Sequence, residues 1–301
     1  MMLQKKKKRN WTLHLMMMPS VAALIVFSYI PMAGIIIAFQ KFNPGFGLFG
    51  ASPWVGLDNF RYIFSLPSIW QVVGNTLILS VAKIIIGTIL AIATALLLNE
   101  CRHRLLKKSV QTIIYFPYFI SWIIMAGILA DMLSPTKGVI NQLITSIGGT
   151  PVYFLGDNRY FRGTLIISDI WKNFGYNSVV YLAAITGIDM SLYEAAAIDG
   201  AGRWKQTLHV TLPGMSVIII LMVILNMGNL LNAGFDQVFN LYSPGVYESG
   251  DIIDTMVFRL GIQQGQLSPS TAVGLLKSGV SLLLISLSYY IADKKFDNKI
   301  F

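Results

Sequence analysis

Apolar stretches long enough to cross a hydrocarbon layer recur from one end of this sequence to the other. A bilayer core about 30 Å thick needs about 20 consecutive apolar residues in helical form. Such runs fall at 12–39, 72–98, 110–133, 165–188, 217–235 and 271–292. Backbone amides in lipid must find their partners within their own segment, so each run predicts a helix. The expectation is an all-α membrane protein of six transmembrane helices forming one domain over residues 1–301. Composition agrees: 54% of residues are hydrophobic and 12% charged, against about 45–50% and 25% in soluble domains.

"KKKKR" precedes the first run and resembles the start of a secretory leader. The run is too long for that and carries no small-x-small cleavage site, so a retained helix is expected. Pro19 and Pro31 should kink it. Basic residues cluster where loops stay in the cytoplasm. With the N-terminus inside, Lys5 to Arg9, Arg102, Arg104, Lys107, Lys108, Arg203, Lys205, Lys294, Lys295 and Lys299 lie on the inner side. Lys41, Arg61, Lys137, Arg159, Arg162 and Arg259 lie outside and are fewer, which places both termini in the cytoplasm. The net charge of +9 then serves topology and contact with anionic lipid heads, and no nucleic-acid partner is expected. Cys101 is a lone cysteine. His14, His103 and His209 have no partner at ligand spacing, so no metal or other cofactor is expected in the chain itself.

"EAAAIDGAGRWKQTLHVTLPGM" (residues 194–215) is a polar and basic island among these runs, within a cytoplasmic loop over 189–215. Ser191 followed by Glu194 predicts a capping box and a short helix. Leu192, Ala195, Ala196 and Asp199 share one face of it, and Gly200 with Gly202 should end or bend it. Pro213 and Gly214 mark the entry to the fifth run. A loop helix resting on the lipid surface through Trp204 and Lys205 would satisfy these features equally.

The spacing of the same residues resembles the EAA signature of ABC importer permeases: Glu-Ala-Ala, three residues, Gly, nine residues, Ile-x-Leu-Pro. Glu194, Ala195, Ala196, Gly200, Leu212 and Pro213 match in register, with Val210 where the pattern has Ile. "WVGLDNFRYIF", Asn75-Thr76, "LLLNE", "QTIIYFPYFISW", "WKNFGYNSVVYLAAI" and "STAVGLLKSGVSLLL" also resemble the carbohydrate-type permeases of that family, so the likeness runs from about residue 16 to residue 292. It implies a type I ABC importer permease fold without the large outer insertion of the maltose-type relative. It further implies a carbohydrate cargo, in particular an oligosaccharide, and a bacterial cytoplasmic membrane. The partners implied are a second related permease in a heterodimer, two copies of an ABC ATPase and an extracytoplasmic solute-binding protein. Residues 194–213, with Asp199, would form the helix that docks on the ATPase. Nothing in the sequence reads G-x-x-x-x-G-K-[ST], so ATP and Mg²⁺ would be used by the partner.

Polar side chains inside spans usually face a bundle interior or an aqueous path. Asn226, Asn229 and Asn232 form such a stripe in the fifth run. In the fourth, Asp169, Asn173, Tyr176 and Asn177 share a side, and the third offers Tyr115, Tyr118 and Trp122. Amides and aromatic faces suit sugars, although Asn also bridges helices and Tyr and Trp also form interfacial belts. Asp169 and Lys172 are spaced to neutralise each other on one helix. A charged sugar would give Lys83 or Lys277 a use. Ile140, Leu143, Ile144 and Ile147 predict a short helix on the outer surface, a possible platform, with 236–261, for a binding protein. An ion-coupled secondary transporter is the alternative and would call for embedded carboxylates or inverted repeats; only Asp131 and Asp169 stand near or within spans. A membrane enzyme would need a convergent acid, base, nucleophile or metal cluster, which is not apparent.

Overall fold

A computed structural model describes residues 11–48, 50 and 52–296. Lys5 to Arg9 and Lys299, part of the basic inner-side pattern, lie outside them. The described residues are mostly helical and contain no strand beyond one isolated bridge, Gln40 with Trp54. The helices are α1 (Trp11–Leu24), α2 (Asp58–Ser65), α3 (Ile69–Glu100), α4 (Arg104–Tyr115), α5 (Trp122–Leu133), α6 (Val139–Ser146) and α7 (Asn158–Thr186). They continue with α8 (Met190–Ile198), α9 (Arg203–Gln206), α10 (Ser216–Gly228), α11 (Phe235–Leu241), α12 (Ile253–Phe258) and α13 (Leu267–Phe296). Three helical stretches, His14–Phe39, Ile69–Glu100 and Leu267–Ile291, are long and apolar enough to cross a membrane. Three bent pairs join them, α4 with α5, α7 with α8, and the stretch Arg203–Gly214 with α10, which makes six if each pair is one span.

The chain divides into two compact units, residues 1–65 with 260–275 and residues 66–259 with 276–301. In the first, Pro31 follows directly on a π-helical turn, Ile25–Tyr29. Proline lacks the N–H of the regular ladder, and the wider turn absorbs the defect. Phe39 stacks on Trp54 at 5.7 Å and meets Phe60 tilted by 45° at 5.4 Å, and the Asn59 amide donates to the Ala38 and Gln40 carbonyls at 2.8 and 3.0 Å, closing the loop after the first span.

The second unit is organised around α3 and α7, which pack along each other more extensively than any other pair. Their burial is inverted relative to a soluble protein. Along α3, Ile89 and Leu97 are exposed while Thr76, Ser80, Ala91 and Ala95 are buried. In lipid, aliphatic side chains gain little by leaving the solvent, so close packing of small residues and interhelical hydrogen bonds hold the helices together. Ala91 and Ala95 admit Tyr181, Ile185 and Met215.

Polar ties hold the end of α3 near Asn75. Asn75, buried on α3, donates to the Glu248 and Asp251 carbonyls, each at 3.1 Å, and accepts from Arg162 at 2.7 Å. Thr76 accepts from the Ile253 amide at 2.9 Å. The Asn75-Thr76 pair is thus the anchor of the connection before α12. Asp251 binds Arg259 at 3.0 and 2.5 Å, and this carboxylate raises the already high pKa of the guanidinium. Burial, with Tyr247 alongside, pushes the Tyr242 phenol up to about 12. Asn75→Ala takes a donor from the buried Asp251 carbonyl and the side-chain acceptor from the Arg162 guanidinium. It is expected to destabilise the protein by about 2–3 kcal/mol, read as a lower Tm in detergent.

Three expectations need correction. The third run is not one straight helix: it breaks after Phe119, and the two parts meet at 104°. The fifth run stops being helical at Gly228, short of Phe235, because "NMGNLLNAG" is rich in Asn and Gly, which favour turns over helix. Lys172 does not pair with Asp169. Its ammonium instead donates to the Pro117, Tyr118 and Ile120 carbonyls at 3.2, 2.7 and 2.6 Å, capping the broken third span. The short helix expected around Ile140–Ile147 is present as α6, with Leu143 and Ile147 exposed and Asn141 buried. The Asn141 amide binds the Leu133, Ser134 and Val152 carbonyls at 3.0–3.1 Å and accepts from Val152 N–H at 2.7 Å.

Candidate functional site: an amide-lined cleft and an exposed loop element

A cleft of about 210 Å³ opens between α3, α7 and the segment after α10. Ser80, Lys83, Gly87 and Thr88 line it from α3, and Asp169, Asn173 and Asn177 line it from α7. Asn226, Asn229, Asn232, Ala233 and Gly234 complete it. Asn229 N–H and Asn232 N–H close successive turns on the Asn226 and Asn229 carbonyls at 3.0 and 2.8 Å. Gly234 then adopts φ +91°, a left-handed value that glycine takes without the steric cost of a Cβ. The Asn232 amide donates to Asn229 Oδ1 at 3.1 Å.

Charge in the cleft is internally matched. Lys83 Nζ lies 3.8 Å from Asp169 and donates to the Ala233 carbonyl at 2.7 Å and to Gln237 Oε1 at 2.5 Å. Gln237, fully buried on α11, donates in turn to the Leu165 carbonyl and Ser168 Oγ at 2.7 and 2.8 Å. The Ser80 hydroxyl is buried and has no hydrogen-bond partner among the described residues.

Of the residues expected along a passage, Asn173, Asn177, Asn226, Asn229 and Asn232 come together here, together with Asp169. Tyr118, Trp122 and Tyr176 do not. Tyr176 turns off the Asn173–Asn177 flank and stacks on Tyr118, ring centroids 3.8 Å apart and planes 8° from parallel, with Phe119 edge-on to both. The Lys172 ammonium sits 5.5 and 5.6 Å from the Tyr118 and Trp122 rings. Ser80, Thr88, Gly234 and Gln237 were not anticipated. Ser80 and Lys83, three apart on one helix and both polar within a span, were the available signal. Lys277 pairs with Asp254, so both of these span lysines are neutralised inside the protein.

The element over residues 189–215 is also built differently from the expected capping box. The Asp189 carboxylate, not Ser191, caps α8, accepting from Ser191 N–H at 2.9 Å. That amide and the Ser191 hydroxyl hold the Asp189 carboxyl below its ordinary pKa. Helix α8 therefore starts two residues early, and Glu194 is too far along to reach back. Glu194 is exposed, with no hydrogen bond or ion pair among the described residues. Ala195 and Ala196 lie on the same short helix, and Asp199 is its C-cap. Gly200, at φ +77°, ends it: Gly200 N–H binds the Ala197 carbonyl at 3.0 Å and Ala201 N–H binds that of Ala196 at 2.8 Å, the paired bonds of a Schellman stop. Leu212 packs beside Met215, and Pro213 follows a π-helical turn, Thr207–Thr211. Arg203 binds Glu100 at 3.1 Å and the Tyr193 hydroxyl meets Thr211 at 3.0 Å, tying the element to the end of α3 and the start of the fifth span. Met190, Leu192, Ile198 and Trp204 remain exposed.

A family described as binding-protein-dependent transport system inner membrane component matches residues 83–301. The polygalacturonan/rhamnogalacturonan transport system permease protein YteP of Bacillus subtilis is 43% identical over 94% of this chain and 88% of its own length. LplB of the same organism is 41% identical over 97% and 91%. The trehalose/maltose transport system permease protein MalF of Thermococcus litoralis is 28% identical over 82% and 88%. Among solved structures, a bacterial ABC transporter involved in the import of the acidic polysaccharide alginate superposes with a TM-score of 0.89, at 36% identity and covering 95% of this chain and 96% of that one. A related structure, in complex with an alginate pentasaccharide-bound periplasmic protein, gives 0.88. With a type I ABC importer permease fold, an amide-lined cleft between its central helices and this family's model matched over most of its length, the chain belongs to the inner membrane permeases of binding-protein-dependent ABC importers.

Proposed function

We propose that this permease carries an oligosaccharide, in the first place a fragment of an acidic polysaccharide, from an extracytoplasmic binding protein into the cytoplasm. The observation that carries the reading is the cleft of Asn173, Asn177, Asn226, Asn229 and Asn232. Amides both donate and accept, as sugar hydroxyls do, and the matched Lys83 and Asp169 leave no bare charge to trap a passing carboxylate. At about 210 Å³ the cleft is smaller than the roughly 300–1,000 Å³ of pockets that enclose a whole ligand. That supports a passage completed by a second, related permease in a heterodimer. The acidic class is supported by the named cargoes of the 43% identical relative and of the alginate transporter.

Energy comes from ATP with Mg²⁺ bound by two copies of a separate ATPase, against which the 189–215 element docks. Its exposed Met190, Leu192, Ile198 and Trp204 form an apolar contact, and the unpaired Glu194 offers a carboxylate to a basic group. ATP-driven closure of the ATPases draws the two permeases' elements together and opens the cleft outward; hydrolysis resets it. Both termini lie on the cytoplasmic side.

Mild-detergent extraction of the tagged chain, with mass spectrometry of what copurifies, tests the assembly, and Glu194→Arg tests the docking face. An ATPase and a second permease are expected with the wild type, and the ATPase is expected to be lost from the variant. In the reconstituted complex, a binding protein loaded with a uronate oligosaccharide should stimulate ATP hydrolysis, with Asn229→Ala raising KM by about tenfold. Recovery of the wild type alone under several gentle extractions would sink the reading. Stimulation by neutral oligosaccharides only would remove the acidic class and leave the rest standing.

A further inference from the structure

We infer that Lys83 is a positioning residue for cargo transfer: its ammonium pins the non-helical segment after α10 against α3 and α7, and so sets where Asn229 and Asn232 present their amides. The inference rests on the amide cleft being the cargo passage. A backbone without helical bonds at membrane depth must find partners elsewhere in the protein. From Asn229 to Gly234 the chain leaves the helix, and the Ala233 carbonyl receives its hydrogen bond from Lys83 at 2.7 Å. The same ammonium reaches Gln237, the first buried residue of α11, at 2.5 Å, and Gln237 is held on α7 by Leu165 and Ser168. Asp169 on α7 supplies the counter-charge at 3.8 Å. One side chain therefore joins three elements behind the wall that carries the cleft's amides.

The donors of Lys83 point into this junction, and its side chain is 8% exposed against 22% for Asp169. It is not a hand held out to cargo. Charge-assisted bonds of this kind in a dry site are strong, and a truncated partner leaves the other groups unsatisfied. Without them, the segment keeps its local bonds at Asn229, Leu230 and Asn232 and the packing of Leu231 and Ala233, but nothing ties its end to α3.

The test uses the complete reconstituted importer. Asn229→Cys is alkylated beside the native Cys101, and the ratio of the two rates is read by peptide mass spectrometry, so that general loosening raises both and cancels. Lys83→Met is expected to raise that ratio about tenfold and to raise KM for the loaded binding protein by a similar factor. Maximal ATPase is expected to stay within about twofold, and Lys83→Arg should restore part of the loss. Where Lys83→Met does not assemble, Lys83→Gln, one atom shorter but still a donor, should move both readouts the same way by less. An unchanged ratio and KM in an assembled Lys83 variant, with Asn229→Ala still raising KM, overturns the positioning role and leaves the passage reading intact. If Asn229→Ala also leaves KM unchanged, the passage reading fails and the role of Lys83 goes with it.

Discussion

Lys172→Met is expected to cost this protein most of its stability, although Lys172 lies outside the cleft. The third span carries Pro117, which lacks an amide hydrogen, and the chain turns through 104° between Phe119 and Trp122. The break releases the Pro117, Tyr118 and Ile120 carbonyls from a regular ladder at a depth where water cannot serve them. All three converge on one ammonium at 2.6–3.2 Å, and the residue is 7% exposed. Methionine matches the volume and removes every donor. The Pro117 carbonyl keeps a bond from Ile120 N–H at 3.2 Å, but those of Tyr118 and Ile120 lose their partner; at about 1–3 kcal/mol each, the loss is a large part of the 5–15 kcal/mol that keeps a typical protein folded. The measurable result is a large fall in membrane yield, or a Tm lower by about 10 °C or more in detergent. Asp169→Asn provides the contrast. Were Lys172 the partner of Asp169, as their spacing suggests, the two substitutions would damage the same ion pair alike. With Asp169 paired to Lys83 instead, Asp169→Asn should leave the third-span break in place. A Tm for Lys172→Met within about 2 °C of wild type would refute this account.

The Asp169–Lys172 expectation shows where sequence reasoning runs out. Spacing along one helix ranks neighbours on that helix and is blind to a lysine arriving from α3 or to carbonyls released on another span. The break in the third span was equally hidden: "YFPYFISW" is continuously apolar, and hydropathy does not register a change of direction. Positions set by local chemistry were readable. The runs that became α3, α7 and α13 were plain in the sequence, as was the Asn226–Asn229–Asn232 stripe, because polar residues in a span stand out. The same stripe was read as a helical face, whereas only Asn226 lies in the helix, and Asn229 and Asn232 sit on successive turns after it has ended. Asp189 and Ser191 are both good caps, and only the backbone decides between them. Asn75-Thr76 was legible as a pattern and opaque as a mechanism until Glu248, Asp251 and Ile253 were seen to close on it.

Gly200→Leu should uncouple the importer while leaving the permease folded. A Cβ at Gly200 meets nothing within 4 Å, so space does not demand glycine. Conformation does: φ is +77°, and a leucine held there costs about 1–2 kcal/mol. The cheaper response is for α8 to run on past Asp199, which breaks the bonds from Gly200 and Ala201 to Ala197 and Ala196 and re-aims Arg203 and Trp204. Helix α8 and the residues after Gly202 would then no longer present one contact surface. ATPase activity stimulated by the loaded binding protein is expected to fall by at least about tenfold, an energy loss of about 1.4 kcal/mol at the contact, while the Tm of the isolated permease moves by only about 2–4 °C. Gly200→Asn separates conformation from side-chain bulk, because asparagine tolerates the left-handed region yet is nearly as large as leucine. It should retain most of the coupling. Equal loss in both variants would point to bulk at the docking surface, and retention in both would mean that the ATPase does not read the direction set at Gly200.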